Sequence, residues 1–174
     1  GCALAFFQGM DAHASAISEA AATDVLTGTL SRRQFLLELE KFAAGCDGKP
    51  AYFIDFELNR FKQLNEAMGF RTGDKLIRDC VERIKALLPQ ETLIGRLGAC
   101  EFGIVIADEH AIPTLEIQLD QMLTEVCKPY LIDDRRVVVT VSAGVVEFGT
   151  DHIEQVDMLK RANQRAEGAT VFGY

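Results

Sequence analysis

The sequence predicts an α+β fold in which one mixed β-sheet is covered by helices. Amphipathic helical segments alternate with short apolar strands along most of the 174 residues. Residues 92–106 and 129–146 are instead typical of strand pairs joined by a turn, so two hairpins interrupt the alternation. Apolar residues make up 48% of the chain, which is enough for one domain with a substantial core.

Composition excludes several classes of function. The formal net charge is −8 with no long basic run, so we expect no DNA or RNA binding, although a local basic cluster can hold one nucleotide. Five cysteines without Cys-x-x-Cys spacing indicate reduced thiols in a cytoplasmic domain. No apolar run approaches the roughly 18 residues of a membrane span, and an anchor in a preceding segment stays open.

The N-terminal residues 1–23 are predicted to be a linker or signalling helix. Their apolar residues recur at helical spacing, and the small, Ala-rich face suits a helix that pairs in a dimer. Residues 24–28 then break the helix with turn-forming side chains. We therefore place the boundary of the main domain at Asp24 and extend that domain to Tyr174.

The first half of the main domain reads as helix, strand, helix and helix. A helix begins after the N-cap residue Ser31 and ends near Ala44. The stretch Ala51–Leu58 is nearly all apolar, which indicates a central strand. Phe61–Met68 reads as a short helix, and after a loop Asp74 is placed to start a longer one that ends near Leu88.

The second half begins with the hairpin in residues 92–106. Its two-residue turn falls at Gly98-Ala99, so the carboxylate of Glu101 lies at the tip, where it can meet a ligand. A helix follows from Ile112 or Pro113 to about Val126. Strands at 129–132 and 136–146 flank a turn at Asp133-Asp134, and a last helix is expected to start near Ile153.

Four blocks of residues, in order, resemble the GGDEF family of diguanylate cyclases from Asp24 to Gly173. Each block alone is a weak signal, but four in the right order and spacing are a strong one. The resemblance implies a nucleotidyl-cyclase-like sheet with a ferredoxin-like core. The blocks are Asp24–Gly28 with Arg32–Phe35, Asn59–Glu66 with Gly69 and Gly73-Asp74, Arg96–Phe102, and Val139–Val145.

The resemblance also implies a reaction. Members of this family join two GTP molecules into cyclic di-GMP, with two domains facing each other and one GTP held by each. Charge develops on phosphate oxygens, so the reaction needs Mg²⁺, which demands hard oxygen ligands. GTP, Mg²⁺ and a second copy of the domain are thus the implied substrate, cofactor and partner.

The signature turn departs from the family's pattern. It reads Gly98-Ala99-Cys100-Glu101-Phe102, where the family has Gly-Gly-Asp-Glu-Phe or Gly-Gly-Glu-Glu-Phe. The third residue supplies a metal carboxylate in the family, and a thiol is a soft ligand that is mostly protonated near neutral pH. The implied catalytic candidate that remains in this turn is Glu101.

A second metal carboxylate comes, in the family, from the end of the first strand. An ungapped alignment puts Glu57 there, with the backbone carbonyl of Leu58 beside it. A two-residue insertion would put Asp55 in that position instead. In both alignments one carboxylate is kept and one is lost, so Mg²⁺ binding is expected to be weak or absent.

The implied nucleotide-binding residues are Asn65 and Asp74 for guanine, with Gly98 near phosphate and Lys62 as a phosphate cation. The simpler interpretations are a helix cap for Asn65, an N-cap for Asp74 and a solvated side chain for Lys62. A late phosphate-binding Lys of the family aligns with Thr170. The family's Arg-x-x-Asp product-inhibition motif is replaced by Pro89–Thr92.

The sequence therefore predicts a degenerate GGDEF domain of a cyclic di-GMP signalling protein. The favoured hypothesis is a catalytically impaired regulatory or GTP-sensing module, beside a neighbouring regulatory or EAL phosphodiesterase domain. One alternative is an active diguanylate cyclase with a weakened metal site. The other is a purely structural dimerisation unit.

Overall fold

The computed structural model describes residues 22–107 and 113–149. The predicted linker helix lies almost entirely outside these residues, as do the predicted last helix near Ile153 and the position of Thr170. The helices of the described part include none long and apolar enough to cross a membrane. In chain order the elements are α1 Arg32–Ala44, β1 Ala51–Leu58, α2 Phe61–Met68, α3 Phe70–Leu87, β2 Leu93–Arg96, β3 Glu101–Ala107, α4 Pro113–Cys127, β4 Tyr130–Ile132, β5 Arg135–Val137 and β6 Val141–Phe148.

Strand β1 lies in the middle of a four-stranded sheet with the order β2-β3-β1-β6. It pairs antiparallel with β3 on one side and with β6 on the other. An isolated parallel bridge joins Leu30 to Gly95 at the outer strand β2. The predicted α+β class and the central position of β1 are both confirmed.

The two faces of the sheet bury two separate cores, because side chains alternate along each strand. On one face the sheet packs against α3 and α4, and on the other against α1. The first core includes Ile54, Phe56, Leu76, Ile77, Ile84, Phe102, Met122 and Tyr130. The second includes Phe35, Leu39, Phe53, Val105, Val146 and Phe148.

Helix α1 fixes the hairpin of β2 and β3 from the second face. The side chain of Phe35 lies very close to two glycines of the hairpin. A Cβ atom added at Gly95 would be 2.4 Å from Phe35 Cβ, and a Cβ atom added at Gly103 would be 2.7 Å from Phe35 Cε1. Ser31 caps α1 as predicted, since its Oγ accepts a hydrogen bond from Gln34 N at 3.2 Å. The hairpin therefore rests on a helix with a well-defined start.

The predicted strand 136–146 is in fact two strands in different sheets. Asp133 and Asp134 both have positive φ, as in the turns that close tight hairpins, and this turn pairs β4 with β5 alone. The chain then crosses to the main sheet as β6. Val138 is exposed between the buried Val137 and Val139, so the alternating pattern continues through the break and conceals it in the sequence.

Candidate functional site

A groove of about 550 Å³ opens at the end of β1. It is lined by the last residues of β1, most of α2, Phe70 at the start of α3 and Ala99-Cys100 of the hairpin loop. Two segments that are far apart in sequence, residues 57–70 and 99–100, therefore meet there. The groove lies where the sequence predicted a ligand site.

The hairpin loop is longer than predicted, because residues 97–100 all lie outside the strands. Both Leu97 N and Gly98 N donate to the carbonyl oxygen of Glu101, at 2.8 and 3.2 Å. The guanidinium of Arg96 donates to the carbonyl oxygens of Gly98 and Ala99, at 3.2 and 2.8 Å. The predicted two-residue turn is thus wrong, and the loop is held by backbone bonds and one arginine.

Asp24 holds that arginine in place. Arg96 Nη1 lies 3.3 Å from Asp24 Oδ1, and the Thr27 backbone and hydroxyl both donate to Asp24 Oδ2. Burial acts in the opposite direction, yet these hydrogen bonds and the charge of Arg96 keep the pKa of Asp24 below its ordinary value. The Asp24–Gly28 block therefore supports the signature loop from outside the groove.

Cys100 occupies the key position of the signature. Its half-buried thiol donates to the carbonyl oxygen of Leu58 at 3.5 Å, while Leu58 N donates to the carbonyl oxygen of Cys100 at 3.0 Å. Burial, followed by the charges of Glu57 and Glu101, raises the pKa of the Cys100 thiol to about 11. Near neutral pH Cys100 is thus a protonated thiol. It is hydrogen-bonded to the Leu58 carbonyl, the group that the resemblance implies as a metal ligand.

Cys100 and the Leu58 carbonyl to which it is hydrogen-bonded do not fit Mg²⁺. A neutral sulfur takes the place of an anionic oxygen, and Mg²⁺ favours hard oxygen donors in octahedral geometry. Across residues 22–107 and 113–149, no group of three or more His, Cys, Asp and Glu side chains is arranged to hold a metal ion.

Three carboxyl groups share one face of the sheet. Glu57 lies directly opposite Glu101 across β1 and β3, and Asp55 lies opposite Gly103. Glu57 lines the groove, whereas Asp55 is 3% exposed within the sheet and does not line it. The geometry thus places Glu57 and Leu58 beside the groove, as the ungapped alignment implies, rather than Asp55.

Asp55 is held as a neutral acid. Burial raises its pKa well above the ordinary value, and a hydrogen bond with Glu101 and the charges of Glu101 and Glu57 add to the rise. Its Oδ1 has no hydrogen-bond partner within the described residues. The buried carboxyl stabilises the fold in its protonated form and becomes unfavourable when it ionises.

Asn65 lines the groove from α2 and packs tightly on α3. A Cβ at Gly73 would lie 1.8 Å from Asn65 Oδ1 and 3.2 Å from Phe61 Cζ. Asn65 Oδ1 is buried without a hydrogen-bond partner in the described part of the chain. The simpler cap interpretation applies to its backbone only, because the Asn65 carbonyl oxygen accepts from Gly69 N at 2.8 Å.

Asp74 does not start a helix, so its interpretation as an N-cap is wrong. Helix α3 begins at Phe70, directly after Gly69, whose φ of 90° separates it from α2. Asp74 is an exposed residue in the second turn and is not among the groove-lining residues. It lies four residues after Phe70, and residues at that spacing are neighbours on one face of a helix.

The remaining predicted residues divide into two groups. Lys62 is exposed and lines the groove together with Ala99. Gly98 and Glu101 lie outside the lining, and a Cβ on Gly98 would meet Glu101 Oε2 at 3.3 Å. The last signature residue, Phe102, is fully buried in the core.

The sequence analysis did not single out two residues that line the groove, Arg60 and Phe70. For Phe70 a signal was present, because it is an apolar residue that directly follows the turn residue Gly69.

The sheet, its covering helices and the hairpin loop beside the central strand define a nucleotidyl-cyclase-like domain. The chain belongs to the GGDEF family, since residues 21–170 match the family model "Diguanylate cyclase, GGDEF domain". The fold is similar to the FimX GGDEF domain from Pseudomonas aeruginosa (TM-score 0.76, 22% identity, 85% of this chain and 93% of that chain). It is also similar to the GGDEF domain of DgcB from Caulobacter crescentus in complex with c-di-GMP (TM-score 0.77, 23% identity, 85% and 86%).

Curated relatives are much longer than this chain. The cyclic di-GMP phosphodiesterase NbdA of Pseudomonas aeruginosa is 30% identical over 155 residues, which is 87% of this chain and 19% of that protein. The cyclic di-GMP phosphodiesterase PdeB of Shewanella oneidensis is 30% identical over 141 residues, or 80% and 16%. The chain thus spans less than a fifth of the length of either protein.

The raised pKa of Asp55 predicts a pH-dependent stability. The neutral form stabilises the fold fully below the ordinary carboxyl pKa, and this contribution is lost as the pH rises through the raised value. Urea unfolding in metal-free buffer should therefore give a lower free energy of unfolding at about pH 9 than at about pH 5. For each pH unit between the ordinary and the raised pKa, the unchanged protein should lose about 1.4 kcal/mol.

Two variants check the role of Asp55 in this pH dependence. Asp55→Asn should lose much less stability over the same pH range, because its side chain cannot ionise. Asp79→Asn on the exposed face of α3 is the control and should lose as much as the unchanged protein. Equal losses in both variants would show that Asp55 titrates at an ordinary pKa in the folded chain.

The contact of Gly73 with Asn65 predicts a cost for a single methyl group. Gly73→Ala should lower the free energy of unfolding by about 1–3 kcal/mol, because the added Cβ has to displace the Asn65 amide. Gly45→Ala is the matched control, since the nearest atoms to its new Cβ lie at 3.7 Å. Urea denaturation of both variants checks this, and equal stability would mean that the Asn65 side chain makes room for the added methyl group at no cost.

Proposed function

We propose that this chain is a degenerate GGDEF domain that binds GTP and regulates a cyclic di-GMP signalling protein, with little or no cyclase activity of its own. The observation that carries the proposal is the protonated Cys100 thiol on the Leu58 carbonyl. A metal-dependent phosphoryl transfer needs that position to offer an anionic oxygen. Binding of a nucleotide base makes no such demand.

The groove supports retained nucleotide binding. Asn65 and Lys62 line it, and Asp74 lies one turn from the groove-lining Phe70. A carboxylate can accept hydrogen bonds from guanine N1–H and N2–H, and an amide can serve another edge of the purine. The lysine supplies one positive charge for phosphate. Guanine binding through Asn65 and Asp74 therefore does not depend on Cys100.

A regulatory role agrees with the names and the lengths of the relatives that contain a similar domain. Two relatives are named cyclic di-GMP phosphodiesterases, and this chain matches only a small part of each. We infer that a neighbouring regulatory or EAL phosphodiesterase domain reads the nucleotide state of this domain. A homodimer through the N-terminal residues 1–23 is a second route by which the state could be transmitted.

One observation favours the alternative of an active cyclase. Glu57 and Glu101 lie directly opposite each other, so two carboxylates remain beside the signature loop. Such a site would bind a divalent cation weakly, because it has fewer anionic ligands than the family's site. The third hypothesis, a structural dimerisation unit, requires no nucleotide at all.

A paired assay tests the proposal. Purified domain is incubated with GTP and Mg²⁺ or Mn²⁺, and we expect no cyclic di-GMP above a heat-inactivated control. GTP titration by calorimetry should detect binding, and Asp74→Ala should weaken it about tenfold, the loss of about 1.4 kcal/mol. Asp79→Ala on the same helix is the control and should bind GTP like the unchanged protein.

Each outcome selects one hypothesis. Cyclic di-GMP formation would establish an active cyclase and contradict the proposal. No GTP binding by the unchanged protein would favour the structural unit. Equal affinities for Asp74→Ala and the control would show that guanine is not read by Asp74.

Restoring the family's signature should restore metal dependence. The double variant Ala99→Gly with Cys100→Asp places a carboxylate beside the Leu58 carbonyl. We expect Mg²⁺ to raise its GTP affinity about tenfold or more, and to leave the affinity of the unchanged chain almost constant. Cys100→Ser with Ala99→Gly is the control, since it supplies an oxygen without charge. No gain in the Asp variant would mean that the deficit in GTP binding lies elsewhere, for example at Thr170, where the resemblance implies a phosphate-binding Lys.

A further inference from the structure

Phe70 is an exposed aromatic side chain on the edge of the groove. It is 78% exposed, and among the large apolar side chains of the described residues only Val25 is more exposed. Exposed apolar groups that line a groove mark binding sites more often than isolated ones do. The position of Phe70 therefore needs an explanation that packing among residues 22–107 and 113–149 does not give.

The backbone conformation of Gly69 fixes the position of Phe70 at the start of α3. Gly69 has φ 90° and ψ 156°, which ends α2 and starts α3 at Phe70 without a connecting loop. A Cβ at Gly69 would meet nothing within 4 Å, so the glycine is required for its conformation and not for space. Phe70 is consequently anchored on an 18-residue helix, and its ring has only two side-chain torsions to restrict on binding.

The neighbours of Phe70 suit a flat, charged ligand. Asp74 follows one turn later on the same helix face, and Asn65 lines the groove while its Oδ1 is buried against Gly73 of α3. The exposed cations Arg60 and Lys62 belong to the same lining. A π-face, hydrogen-bonding groups for a base edge and cations for phosphate are thus grouped around one groove.

We propose that Phe70 is a base-stacking residue, on which the purine of a bound nucleotide lies while Asp74 and Asn65 contact its edge. The inference rests on the proposed function, because it assigns a further contact in the same nucleotide groove. Stacking is insensitive to the identity of the purine, whereas the edge contacts are not. Phe70 thus supplies affinity for purine nucleotides in general, and the polar groups supply the preference for guanine.

The chain offers a direct spectroscopic test because it contains no tryptophan. Phe70→Trp places a single indole at the groove, and stacking of a base on it should quench its fluorescence in a saturable way. GTP and ATP should both quench, GTP at lower concentration, and inorganic triphosphate should not. Leu131→Trp is the matched control, since Leu131 is 74% exposed on β4, and its fluorescence should not respond.

Affinity measurements separate stacking from simple burial. By calorimetry, Phe70→Ala should weaken GTP binding about tenfold or more, and Phe70→Leu should recover only part of the loss because it restores apolar area without a π-face. Neither variant should change the binding of inorganic triphosphate. Light scattering on the same samples should show an unchanged oligomeric state.

The outcomes distinguish this inference from the proposed function. If the unchanged protein binds no GTP, the proposed function fails and Phe70 has no base to stack on. If it binds GTP and Phe70→Ala binds equally well, stacking is overturned while GTP binding stands. Dissociation of a dimer by Phe70→Ala without loss of GTP affinity would make Phe70 a contact between copies of the chain and would also overturn the proposal.

Discussion

The register between β1 and β3 is the constraint on which the site depends. It places Glu57 opposite Glu101 and brings Leu58 to the backbone of Cys100. A slip of one residue would turn every side chain of one strand to the other face, and the two cores on either side of the sheet make that slip very unfavourable. The hydrophobic pattern of β1 thus determines which groups meet at the groove.

Local patterns predicted most of the fold. The cap at Ser31, the apolar run of β1 and the short helix from Phe61 all follow from neighbouring residues, and the structure has them where we expected. The start of α3 did not follow, because Thr72 and Gly73 are weak helix formers and the contact of Gly73 with Asn65 on α2 is not visible in the sequence. The break before β6 was equally hidden, since buried and exposed residues alternate through it.

The site was predictable in its chemistry and less so in its arrangement. Residue type alone indicated that Cys100 cannot replace a carboxylate. The contact of its thiol with the Leu58 carbonyl, and the neutral state of Asp55, depend on which strands are neighbours. In the sequence Asp55 interrupts the hydrophobic pattern of β1. Only the pairing of β1 with β3 and β6 shows that Asp55 lies between two neighbouring strands.

The electrostatics of the signature loop support a domain that functions without a metal at this position. Three carboxyl groups on one face of a sheet repel one another, and a bound dication would offset that repulsion by its charge. In this chain a proton on Asp55 and an uncharged thiol at Cys100 reduce the number of negative charges instead. Because the repulsion within this cluster is reduced by these two protons, the proposed binding of a nucleotide base does not require that a cation bind first. That property suits a domain that senses GTP more than one that transforms it.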